Sequence, residues 1–235
     1  MQLYGGTGDD FLTGGAFHDQ LFGGDDADTL VGGLGRDTIQ GGNGDDVLFG
    51  SEQNSDPAGD LADWIFAGAG DDSAHGGFGN DELRGDDGND TLEGGHGADS
   101  VFGGNGDDTL TGSEYGDLMF GGAGADFLNG GFGHDLLNGG ADADRFFHVG
   151  VEGHGSDWIQ DYSAADGDVL QFGGTATRDK FIVQLAETEG AGQSGVAEAF
   201  VTYQPTGQIL WALVDGTAQS QINLLLGGVT YDLLA

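Results

Sequence analysis

Fifteen aspartates recur on a nine-residue period that breaks once, between Asp46 and Asp63: Asp10, Asp19, Asp28, Asp37, Asp46, Asp63, Asp72, Asp81, Asp90, Asp99, Asp108, Asp117, Asp126, Asp135 and Asp144. Each closes a glycine-rich hexad such as Gly5-Gly6-Thr7-Gly8-Asp9-Asp10, and a triplet with a central apolar residue follows, as in Phe11-Leu12-Thr13. This composition suits a hard divalent cation. Calcium takes about 6–8 oxygens from carboxylates and main-chain carbonyls, and glycine lets carbonyls converge where a Cβ would clash. Other chemistries find little support. The chain has no cysteine for a thiol nucleophile and neither a His-Glu-x-x-His nor a Gly-x-Ser-x-Gly segment. The histidines, His18, His75, His96, His134, His148 and His154, lack zinc spacing and read as solvated side chains. A glycosidase pair could be drawn from so many carboxylates, but the period already accounts for most of them, and the chain reads as non-enzymatic.

The elements that must position these aspartates follow from the same frame. Repeats begin at Gly5, Gly14, Gly23, Gly32 and Gly41, a degenerate one at Ala58, and nine more run from Ala67 to Gly139. The eighth position is bulky and apolar throughout except at Ala74, as in Leu12, Leu48, Leu110 and Phe146. Side chains alternate across a strand, so the last three residues of each repeat predict a short strand with its central side chain turned inward. The hexad supplies the turn between strands.

In register, Gly-Gly-x-Gly-x-Asp-x-U-x, with U large and apolar, resembles the RTX (haemolysin-type) calcium-binding repeat. The resemblance implies an all-β, right-handed parallel β-roll in which two nonapeptides make one coil. Calcium ions would sit between turn n and turn n+2, held by carbonyls and by the sixth-position aspartates, at most roughly thirteen ions for fifteen stacked turns. It also implies a secreted protein that leaves by the type I secretion apparatus and folds on meeting extracellular calcium. The stretch Gly155-Ser156-Asp157-Trp158-Ile159-Gln160-Asp161-Tyr162, with Asp166-Gly167-Asp168 after it, resembles the closing segment of such rolls. Asp157 and Asp161 are thereby expected as ligands, and Asp166 and Asp168 as weaker ligands or ordinary turn carboxylates. Family rolls usually follow an upstream domain, often catalytic. Two rival roles are polysaccharide binding, as in the modules of alginate epimerases, and an adhesin or self-assembling surface protein.

Composition narrows the partners. Five basic residues against 41 acidic ones give a formal charge of −36, which excludes nucleic acid and anionic membrane surfaces, since both require clustered Lys and Arg. No apolar run is long enough for a transmembrane helix, so no membrane insertion is expected, and the first residues lack the regions of a cleavable signal peptide. Burial is too weak to hold the coil alone. One Leu-sized side chain contributes roughly 1.5–3 kcal/mol, while ordering nine residues of backbone costs on the order of 1–2 kcal/mol each. Calcium is therefore expected to be part of the fold.

The roll is expected over residues 1–147 and a capping segment over 148–235. Between Phe49 and Ala58 the sequence Gly50-Ser51-Glu52-Gln53-Asn54-Ser55-Asp56-Pro57 breaks the frame and reads as an irregular half-coil that alters the sites touching it. With that half-coil counted, Phe11, Val31, Val47, Phe49, Trp64, Phe66, Phe102, Leu118, Phe120 and Leu136 share one outer face. An apolar face of that size is expected to be covered by the C-terminal segment, an upstream domain or another copy, unless such short strands simply tolerate outward aromatics. Beyond His148, strands are expected at Phe181–Leu185, Ala199–Tyr203, Ile209–Val214 and Ile222–Leu226, with a hairpin at Pro205-Thr206-Gly207. The tail from Gly227 to Ala235 also resembles a type I export signal.

Overall fold

A computed structural model of the chain describes residues 1–51, 61–151, 153–188, 191 and 196–235. Each repeat contributes a strand that begins at its seventh residue and runs into the glycines of the next, as in Thr109–Glu114 and Leu118–Ala123. Successive strands go to opposite sheets, and each pairs in parallel with the strand one coil away. Leu3 faces Leu21, Leu21 faces Ile39 and Leu92 faces Leu110. The result is a parallel β-roll of two sheets, one of twelve strands and one of eleven.

The eighth-position side chains fill the space between the sheets. Leu30, Leu48, Ile65, Leu83, Leu110, Leu128 and Phe146 are fully buried in a single column, and Ala74 fits the column between Leu48 and Leu92. A core one residue wide cannot spread the loss of a side chain over many neighbours. Leu110→Ala is expected to lower the stability of the calcium-loaded protein by about 2–5 kcal/mol, read from its urea midpoint; a loss below about 1 kcal/mol would mean that the column is not continuous.

The interruption near residue 50 differs from the expected half-coil. Val47–Phe49, in the eleven-stranded sheet, is followed directly by Trp64–Ala69 in the twelve-stranded sheet. Gly50 takes a first-position place, where an added Cβ would meet Asp63 Oδ2 at 2.6 Å. Gly50 and Asp63 thus stand as the first and sixth positions of one turn, widened by residues 52–60, which lie outside the described residues. Among the described residues no strand stands between Phe49 and Trp64, and Thr38–Asn43 pairs directly with Trp64–Ala69, so the parity of every later strand is opposite to that expected. Phe11, Val31, Val47 and Phe49 lie on the eleven-stranded sheet, whereas Trp64, Phe66, Phe102, Leu118, Phe120 and Leu136 lie on the other.

Beyond His148 the described strands continue both sheets at their edges. Asp157–Ile159 pairs in parallel with Leu136-Leu137 and then with Trp211–Leu213, and Val169–Phe172 pairs with Arg145–His148 and then Leu224-Leu225. The expected hairpin joins Glu198–Tyr203 to Gln208–Leu213, and Phe181–Ala186 adds a third antiparallel strand. The tail forms a further strand, Val229–Asp232, antiparallel to Asn223–Leu226. Arg178 Nη2 fastens it by donating to the Leu233 carbonyl at 2.6 Å.

Candidate metal centre

The turns stack so that the sixth-position aspartates form a ladder along each edge of the roll. The backbone N–H of each, from Asp10 to Asp126, donates to Oδ1 of the aspartate one coil on: Asp90 to Asp108 at 2.8 Å, Asp108 to Asp126 at 2.8 Å, Asp99 to Asp117 at 2.8 Å. In return, the carbonyl of Asp90 accepts from Thr109 N–H at 2.7 Å. Each aspartate is held by main chain and side chain together. The ladder crosses the widened turn without a break, since Asp37 N–H donates to Asp63 Oδ1 at 2.7 Å and Asp63 N–H to Asp81 Oδ1 at 2.8 Å.

The other carboxylate oxygen is the unusual one. In Asp10, Asp19, Asp28, Asp46, Asp72, Asp90, Asp99, Asp108, Asp117, Asp126 and Asp135, Oδ2 is buried and receives no hydrogen bond. Buried polar atoms without partners cost roughly 1–3 kcal/mol each, and natural structures keep few of them. Here they recur at eleven of the fifteen sixth-position aspartates. All but that of Asp72, whose repeat opens with Ala67, point toward a first-position glycine: a Cβ on Gly5 would fall 2.6 Å from Asp10 Oδ2 and 2.7 Å from the Gly23 carbonyl oxygen. A carboxylate oxygen and a carbonyl oxygen of the next coil, such as Asp10 Oδ2 and the Gly23 carbonyl, therefore converge in the space that the absent Cβ leaves open.

Burial also shifts the titration of these groups. It pushes the Asp72, Asp108 and Asp117 carboxyls up to about 7, those of Asp90, Asp99 and Asp126 to about 6, and that of Asp144 to about 8. Neighbouring ladder carboxylates add to the effect at Asp72, Asp108, Asp117 and Asp144, while the backbone N–H bonds oppose it. A cation among these oxygens would reverse the balance. The donor set fits calcium: hard oxygens only, carboxylates and carbonyls mixed. Among the described residues no three His, Asp or Glu side chains gather as a metal site by themselves, so the carbonyls are a necessary part of that set.

At the end of the roll the two closing aspartates part ways. Asp157 is buried on the Asp19 edge, beyond Asp135 in sequence, and neither of its carboxylate oxygens has a hydrogen-bond partner. Burial and the adjacent Asp135 charge raise its carboxyl well above the usual range. Asp161 joins neither ladder: its oxygens accept the N–H groups of Gly139 at 3.0 Å and Gly140 at 2.7 Å. Asp168 does join one, accepting Asp144 N–H at 3.0 Å through Oδ1. Its spacing from Asp144 breaks the period, so only the turn held by Tyr162, whose hydroxyl donates to the Asp168 carbonyl at 3.2 Å, brings it into line. Asp166 stays exposed in that turn.

The histidines also divide. His18, His96 and His134 are exposed as expected, but His148 and His154 are buried against each other, with ring centroids 4.7 Å apart. Burial lowers the His148 imidazole to about 4, which keeps it neutral.

The family model of the RTX calcium-binding nonapeptide repeat matches residues 4–39, 22–55, 57–92, 75–110 and 111–146. No curated protein matches the chain. The matched segments span the two aspartate ladders from Asp10 to Asp144.

Proposed function

Because the chain belongs to the RTX calcium-binding nonapeptide repeat family, we propose that it is a calcium-dependent folding module, in which the ladder aspartates and the turn carbonyls are the ligands. The observation that carries this reading is the row of buried Oδ2 atoms without donors in a chain of net charge −36. Calcium supplies the positive charge and the bridging contacts that join one coil to the next. The residues prepare for it: Oδ1 is pinned by a backbone N–H, which fixes the carboxylate plane and leaves Oδ2 aimed at the stacked carbonyls. The proposed ligand set comprises the fifteen sixth-position aspartates and Asp157, with Asp168 added as the last rung. Asp161 is assigned to the N–H groups of the final coil.

The reading extends to a secreted protein that stays unfolded while calcium is scarce and folds outside the cell, where sites of ~10⁻⁴–10⁻³ M affinity fill. Export by a type I apparatus through the C-terminal tail belongs to the same reading, as does support of an upstream domain. No helix among the described residues is long and apolar enough to cross a membrane.

Calorimetric titration of the metal-free chain tests the reading. Several calcium ions should bind in one cooperative transition, and magnesium should not replace them because it demands octahedral geometry and dehydrates reluctantly. Binding of one ion or none would overturn it. Asp108→Asn keeps the Oδ1 acceptor for Asp90 N–H and removes the charge; it is expected to raise the calcium midpoint several-fold. Asp107→Asn, exposed and bonded through Oδ1 to Ala125 N–H at 2.8 Å, is expected to leave the midpoint within about twofold, as a screened surface charge should. Equal effects of the two substitutions would remove the ladder from its assigned role.

A further inference from the structure

The two edges of the roll carry different chemistry at the same turn positions. Turns leading from the twelve-stranded to the eleven-stranded sheet bear Asp9, Asp26, Asp45, Asp71, Asp107 and Asp142 and no aromatic residue. Turns on the opposite edge, with the strand ends that lead into them, bear Phe17, Arg36, Phe78, His96, Tyr115 and Phe132, and Glu114 is the one acid at the third to fifth repeat positions there among the described residues. Calcium ligation does not explain the difference, because the ladder aspartates are the same on both edges.

Two of these aromatics are placed at a conformational cost. Phe17 and Tyr115 stand at the fourth position of their repeats, usually glycine, with φ of 79° and 80°. That left-handed region is disfavoured for a bulky side chain, and such outliers concentrate at functional sites. Neither ring is repaid by burial, since they are 82% and 66% exposed. Tyr115 lines an open groove of about 690 Å³ together with Arg36, Phe78, Asn80 and His96. Within it Phe78 and His96 stack at 4.5 Å with planes 3° apart, and His96 Nδ1 lies 2.8 Å from Glu114 Oε2.

We propose that this aromatic edge is a binding groove for a neutral polysaccharide lying along the roll axis. Rings flanked by Arg, His, Asn and Glu offer an apolar platform beside hydrogen-bonding groups, which matches the two-sided character of a sugar ring. The turns repeat at the rung spacing of about 4.8 Å, roughly one rung for each ring of an extended glycan. Charge selects the neutral class, because a chain of formal charge −36 keeps a net negative charge of about −10 even with roughly thirteen calcium ions bound, and so repels polyanions. A peptide adding as a strand would need a free edge, but here the backbone is already used between coils: Gly79 N–H donates to the His96 carbonyl and Gly133 N–H to the His154 carbonyl, both at 2.9 Å. The groove exists only in the folded roll, so this inference rests on the calcium-dependent reading.

Affinity electrophoresis of the full chain in calcium buffer tests it, with hydroxyethyl cellulose, laminarin and alginate each cast in the gel. Circular dichroism in the same buffer confirms that every variant is folded, which separates failure of the groove from failure of the calcium reading. At least one neutral glycan should retard the wild-type chain, and Tyr115→Ala or Phe78→Ala should weaken that retardation about tenfold, the loss from truncating one aromatic anchor. Phe120→Ala, on the outer sheet face, should retain it. Retardation by alginate alone, by none of the three, or undiminished in both groove variants would overturn the proposal.

Discussion

Chelation of calcium at pH 7.5 is expected to abolish the far-ultraviolet β-sheet signal of the whole chain, cap included. Each site filled at a hundred times its dissociation constant contributes about 2.7 kcal/mol, so a few rungs already match the ~5–15 kcal/mol of an entire domain. Without that contribution a rung such as that of Leu110 and Asp108 retains one buried apolar side chain and a carboxylate oxygen with no donor. The cap follows the roll because Trp211–Leu213 and Leu224-Leu225 pair directly with the strands that close it. Far-ultraviolet circular dichroism with and without chelator checks this, and an unchanged β spectrum would defeat the calcium-dependent reading.

The second large effect is a reversal of pH dependence between the two states. In the metal-free fold, burial raises Asp72, Asp108 and Asp117 from 3.8 to about 7 and Asp144 to about 8. A folded-state value above the unfolded one means that the folded chain binds the extra protons. Its stability is then fully present below about 4 and is lost as pH rises through about 6–8. The chelated chain, unfolded at pH 7.5, is therefore expected to recover β structure on acidification to about pH 4. With calcium present the sign inverts, because protons compete for the same oxygens: the calcium midpoint should rise steadily as pH falls from 8 to 6. A metal-free chain equally disordered at pH 4 and pH 7.5, or a calcium midpoint flat across that range, would show that the ladder carboxylates do not control folding.

Much of this was legible in the residues because a nine-residue repeat leaves few local choices. The inward column from Leu21 to Phe146, the hairpin at Pro205-Thr206-Gly207 and the alignment of the sixth-position aspartates all follow from strand alternation and turn chemistry. The buried histidines and the strand Val229–Asp232 were not legible in the same way. His148 sits where the period stops, and its burial is set by His154 and Trp211. Val229–Asp232 is a strand because Asn223–Leu226 offers it an edge.

Taken alone, the amino-acid order determined the coil, its core column and the donor chemistry of each turn, since these depend on contacts within one repeat or between identical ones. Only the tertiary structure decided what depends on counting coils or joining distant segments. Whether Gly50 to Asp63 adds a strand sets which sheet carries Trp64 and Phe102, and a local pattern holds no record of that parity. Asp168 reaches the ladder, and Asp161 leaves it, through the path that Tyr162 imposes on the chain. The separation of an aromatic edge from an acidic one appears when alternate turns are stacked, because residues 18 apart become neighbours there.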